Sequence, residues 1–337
     1  MNMNQWVKDQ IASPVKKAVP VLSFPSTQLL NITVKELIGS SEYQAKGMKA
    51  IADRVPSGAA VSMMDLSVEA ETFGSTIHVS DDEVPTVVGG ILQDAETVED
   101  VQAMKQPKVG DGRTGMYIEA VGEAARLITD RPVFAGIIGP YSLAGRLMDM
   151  TTIMVNCYEE PEVVHAVLER VTDFLVDYAK AYKAAGAHGV VVAEPAAGLL
   201  SPDLMSEFSV PYMKRVVDAV QDESFIVIYH NCGPAVNKMI PEILEVGAKG
   251  YHFGNAISMA EILPQMPADV LVMGNVDPVS QFRNGTPESI EADTLRVLNE
   301  CSQYPNFIIS SGCDIPPVSP WANIDAFFAA VTKFYHK

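Results

Sequence analysis

The chain is poor in positive charge: 24 Lys and Arg stand against 42 Asp and Glu, a formal net charge of −18. Phosphate contacts need clustered Lys and Arg, so nucleic-acid binding is excluded. The acidic surface itself favours solubility and names no partner. No stretch approaches the about eighteen unbroken apolar residues of a membrane helix. The opening MNMNQWVKDQIASPVKK has neither an apolar h-region nor a small-residue cleavage pattern, so a cytoplasmic location is expected. No G-x-G-x-x-G follows the first apolar run, which argues against an open dinucleotide-binding sheet. Internal repeats and low-complexity tracts are also missing.

Cysteine is scarce. The four, at 157, 232, 301 and 313, are too few for a disulfide framework, and in a reducing compartment they are free thiols or metal ligands. Cys157 and Cys301 fall in helical stretches and read as packed thiols. Cys232 and Cys313 fall in glycine-flanked loops, N-C-G and G-C-D.

What is present is a regular alternation. Short apolar runs occur at 19–24, 59–65, 133–139, 188–194, 224–230, 248–253, 270–275 and 306–311. Unbroken apolar runs of this length read as strands buried on both faces, the habit of parallel sheets. Amphipathic helical segments lie between them, among them 114–129, 160–185, 202–219, 234–246 and 286–303. Glu160-Pro161, Ser201-Pro202 and Thr286-Pro287 read as helix starts. Eight strands alternating with helices predict an α/β fold, a single (β/α)₈ TIM barrel spanning residues 1–337. Residues 1–18 read as an N-terminal arm, and 76–92 as a small β excursion in the long connection after the second strand.

The polar residues collect where the runs end: Asp65; Gly139-Pro140-Tyr141-Ser142; Glu194; His230-Asn231-Cys232; Asn255; Asn275 and Asp277; Cys313. In such a barrel the C-terminal rim is where active sites are built. Each residue has a bland alternative. His-x-Cys is often a packed histidine beside a buried thiol. Asp65 and Glu194 can cap helices or pair with arginine, Asn255 and Asn275 can serve turns, and Tyr141 and Ser142 can open a helix. The barrel sharpens the first case, because the fifth and eighth strands face each other across its mouth. His230, Cys232 and Cys313 could then meet, and two thiolates with an imidazole suit zinc while leaving a coordination position open.

G-P-Y-S-L-A-G (139–145), G-A-H-G-V-V-V-A-E-P (186–195), S-P-D-L-M-S-E-F-S-V-P-Y (201–212), G-N-V-D-P (274–278) and S-P-W-A-N-I-D-A-F (319–327) together resemble the uroporphyrinogen decarboxylase superfamily. H-N-C-G and S-G-C-D match its zinc-dependent branch, the methylcobamide:coenzyme M methyltransferases. The resemblance implies a Zn²⁺ held by His230, Cys232 and Cys313, with Glu194 as fourth ligand or base. It implies methyl transfer from a corrinoid to a small thiol such as coenzyme M. Asp65 matches the decarboxylases' catalytic aspartate, and Tyr141, Ser142, Asn255, Asn275 and Asp277 are the substrate-binding candidates. The methylcobamide is expected on a partner corrinoid protein, since the chain has no D-x-H-x-x-G motif. Decarboxylation is disfavoured: the first arginine is Arg54, so the N-terminal arm lacks the decarboxylases' arginine-rich grip on polycarboxylates. A substrate-side methyltransferase, loading the corrinoid from a methoxy or methylamine donor, and a non-catalytic zinc-stabilised scaffold are the other readings.

Overall fold

A computed structural model describes residues 1–336. Its centre is a seven-stranded parallel sheet in the order β1 (Ala60–Val61), β4 (Val133–Ile138), β5 (Gly189–Ala193), β6 (Ile226–Asn231), β7 (Gly250–Phe253), β8 (Leu271–Val276) and β9 (Phe307–Ser311), curled as a half-barrel. All these strands are buried on both faces, as their unbroken apolar runs require. The expected β excursion is a two-stranded antiparallel hairpin, β2 (Thr76–His78) with β3 (Thr86–Val88).

The expected first strand, 19–24, is not a strand. Pro20 offers no backbone N–H, which removes a ladder bond near the start of the run. The segment nevertheless touches both sheet edges. Val19 N–H donates to Ile309 of β9 at 3.0 Å, and Gly58, just before β1, donates to the Ala18 carbonyl at 2.8 Å. The expected arm is largely a helix, Met3–Ala12. Its Met3, Trp6 and Val7 pack among the inward residues of the sheet, with Trp6 edge-on to Phe134 at 5.7 Å.

Helix Pro161–Ala185 buries Val164, Leu168, Val171, Leu175, Tyr178 and Tyr182 along one face and ends at Gly186, whose φ of 106° suits glycine. The segment expected as one helix over 202–219 is two, Pro202–Phe208 and Val210–Val220. Pro211 has no N–H to donate to the carbonyl four residues back, at Glu207, and the break falls at Ser209. The 234–246 segment is reduced to a 3₁₀ turn and the short helix Ile240–Glu245. No helix among the described residues is long and apolar enough to cross a membrane.

Candidate active site

Strand periodicity decides what faces inward. Ile226 and Ile228 pack inside the curled sheet, so His230, next in that alternation, points the same way. His252 lies opposite His230 in the β6–β7 register, and Ser310 follows the inward Ile308 on β9. His230 Nδ1 stands 2.7 Å from His252 Nδ1, and His252 Nε2 stands 2.8 Å from Ser310 Oγ. Burial, and then His230 beside it, holds the His252 pKa well below the usual imidazole range, so this ring is neutral.

Cys232 and Cys313 leave β6 and β9 directly beyond these strands, and both are half-buried. Cys313 lies near enough to Cys232 and His230 for both to influence its ionisation. Cys313 beside it lowers the Cys232 pKa to about 7 against the opposing effect of burial. The same proximity, with burial, pushes Cys313 up to about 12. Gly254 makes room for this loop, because a Cβ there would stand 2.3 Å from Cys232 Cβ. Asn231 braces the loop by accepting from Gly233 N–H at 2.9 Å.

Among the described residues no three His, Cys, Asp or Glu side chains already stand in a ligating arrangement. The donor set still fits zinc: two sulfurs, and an imidazole whose Nδ1 is turned to His252, leaving Nε2 for the sulfurs' side. Asp314, next to Cys313, accepts from Met64 N–H at 2.9 Å through Oδ2, while its buried Oδ1 has no partner among the described residues.

Glu194 is fully buried after β5 and takes over the start of helix Pro140–Met148. Oε1 accepts from Tyr141 N–H at 2.8 Å, and Oε2 accepts from Ser142 N–H at 2.9 Å and Ser142 Oγ–H at 2.7 Å. The residue at the cap position is Gly139, which has no side chain to do this. Burial raises the Glu194 pKa to about 7 despite these three donors.

Asp65 sits in a separate polar knot. It accepts from Arg113 Nη1 and Tyr117 OH through Oδ2, both at 2.6 Å, and from Ser67 Oγ–H at 2.6 Å through Oδ1. The remaining candidates brace loops. Asn275 donates to the Gly254 and Ile257 carbonyls, Asn255 donates to Asp277, and Asp277 caps the turn Pro278–Arg283 through the N–H groups of Val279 and Ser280. Cys157 and Cys301 are buried, as packed thiols should be.

Sequence reasoning missed His252 and Ser310. Period-two alternation from Gly250 and Ile308 was the available signal, but it needed to be read within the runs and not at their ends. Arg113 and Tyr117 were missed as partners of Asp65 because nothing local links positions so far apart.

The family model described as uroporphyrinogen decarboxylase (URO-D) matches residues 13–334. The chain is 28% identical to a methylcobamide:CoM methyltransferase MtbA of Methanosarcina acetivorans, over 77% of this chain and 75% of that one. It is also 28% identical to a uroporphyrinogen decarboxylase of a Synechococcus species, over 63% of this chain and 61% of that one. Among solved structures, a methyltransferase from Methanosarcina mazei superposes with a TM-score of 0.86 at 22% identity, covering 99% of each chain, a likeness of fold.

Proposed function

Because the chain belongs to the uroporphyrinogen decarboxylase family, we propose that it moves a methyl group from a methylated corrinoid to a small thiol such as coenzyme M, using one zinc ion. Relatives named for methyl transfer make it an enzyme of the methyltransferase type. What supports the reading most is that Cys232 and Cys313 follow the C-terminal ends of β6 and β9 and influence each other's ionisation, with His230 of β6 acting on Cys313.

These three residues would hold the ion. Bound there, zinc would supply the Lewis acidity that lowers a thiol's pKa and keeps its sulfur nucleophilic at neutral pH. Cys232 is already inclined to ionise, with Cys313 beside it. Glu194, with its pKa near 7, is suited to accept the proton a thiol loses, or to approach as a fourth ligand. Asp65 we assign to holding the rim through Arg113 and Tyr117. A decarboxylase reading finds less support, since the arm lacks arginine.

Two further assignments follow. Residues 18–21 act as the eighth stave of a closed (β/α)₈ barrel forming one domain, supported by their bonds to both sheet edges. The corrinoid arrives on a partner protein and docks at the rim.

The experiment is metal analysis of the purified chain, followed by demethylation of methylcobalamin against a panel of thiols. About one zinc per chain and strictly thiol-dependent turnover are expected, with Cys232→Ala losing both. Protein without zinc, or a zinc environment that answers to a methoxy compound or methylamine and to no thiol, overturns the proposal.

A further inference from the structure

We propose that Ser310 and His252 are positioning residues that fix which ring nitrogen of His230 carries its proton. Their purpose rests on the zinc reading above, but their geometry does not. The chain of hydrogen bonds starts at the Val19 carbonyl, in the extended segment lying along β9. Val19 is buried, and the Ser310 hydroxyl at 2.8 Å is the only hydrogen-bond donor to its carbonyl among the described residues.

A hydroxyl has one proton to give. With that proton committed to Val19, Ser310 Oγ meets His252 as an acceptor, so His252 Nε2, 2.8 Å away, carries the N–H. Two nitrogens 2.7 Å apart need one donor between them, and His230 Nδ1 also stands 3.2 Å from the His252 carbonyl, which can only accept, so His230 Nδ1 is the donor and His252 Nδ1 the acceptor. A neutral His230 with its proton on Nδ1 presents Nε2 as a free lone pair, which is what a metal ligand requires.

Reversing the chain shows why the direction holds. If Ser310 donated to His252 instead, every proton would move one place along. His252 would donate from Nδ1, and His230 would carry its proton on Nε2, facing the sulfurs and unable to ligate. The Val19 carbonyl would be left in the core with no partner, which buried backbone groups avoid. The segment that closes against β9 thus sets the polarity of the relay, and β7 carries it to β6.

The test uses the metal-free full chain labelled with ¹⁵N-histidine. Long-range ¹H–¹⁵N correlation should read His230 as the Nδ1–H tautomer and His252 as Nε2–H; His230 with its proton on Nε2 overturns the proposal. Zinc alone is then titrated against a chromophoric chelator. Ser310→Ala and His252→Phe should weaken zinc about 10–100-fold, and Ser310→Thr, which keeps the hydroxyl, should restore it. Wild-type zinc affinity in both folded variants also overturns the proposal. A wild-type chain with this tautomer that takes up no zinc supports the relay and overturns the metal reading alone.

Discussion

Gly139 and Glu194 share one volume: a Cβ on Gly139 would stand 2.2 Å from Glu194 Cγ. The carboxylate of one strand end occupies the space that a capping side chain would fill on another. Gly139→Ala should therefore push Glu194 off the Tyr141 and Ser142 amides. We expect a loss of about 1–3 kcal/mol, read as a lower urea midpoint at unchanged slope. An unchanged midpoint would mean that the pocket relaxes around the methyl group.

Half-buried Arg113 pairs with the buried Asp65, and one partner is removable. Arg113→Met leaves the Asp65 charge in place without its cation and should cost about 3–5 kcal/mol. Adding Asp65→Asn should recover part of that loss, because it removes the stranded charge. Equal stability of the single and double variants in denaturant titration would argue against the pairing.

Glu69 titrates against the fold. It is fully buried; Oε1 accepts from Ile138 N–H at 3.1 Å, and Oε2 has no partner among the described residues. Burial raises its pKa from 4.5 to about 8. The folded chain therefore holds this proton more tightly than the unfolded one, and stability falls as pH rises between about 4.5 and 8. Glu69→Gln carries no such titration, so its stability relative to wild type should improve steadily across that window and level off above it. A difference that stays flat with pH would refute the assignment.

Metal removal should leave the fold standing. A core of this size does not depend on one ion, so a chelator should strip zinc without abolishing cooperative unfolding. Cys157→Ala and Cys301→Ala should keep full zinc content, since both thiols are buried and neither was placed with His230. Collapse of near-UV circular dichroism on chelation would recast the metal as structural.

The sequence by itself determined the layered plan. Unbroken apolar runs such as 224–230 and 306–311, alternating with amphipathic segments, have the habit of a parallel sheet buried on both faces, and the glycine-flanked Cys232 and Cys313 stand out without any coordinates. Proline signals set several helix starts, including Pro161 and Pro287, because a local dihedral restriction is enough to act there. The 19–24 run misled for an equally local reason, since apolar content hid the missing N–H of Pro20.

Everything that depends on which strands are neighbours was decided only by the tertiary structure. Glu194 reads as a free strand-end carboxylate until the helix after β4 is laid beside it. His252 and Ser310 are ordinary residues of their runs until register sets them in line with His230 and the Val19 carbonyl. Hydrogen-bond partners far apart along the chain are chosen by packing, and packing is settled by the sum of all the buried contacts, which no short window of sequence contains.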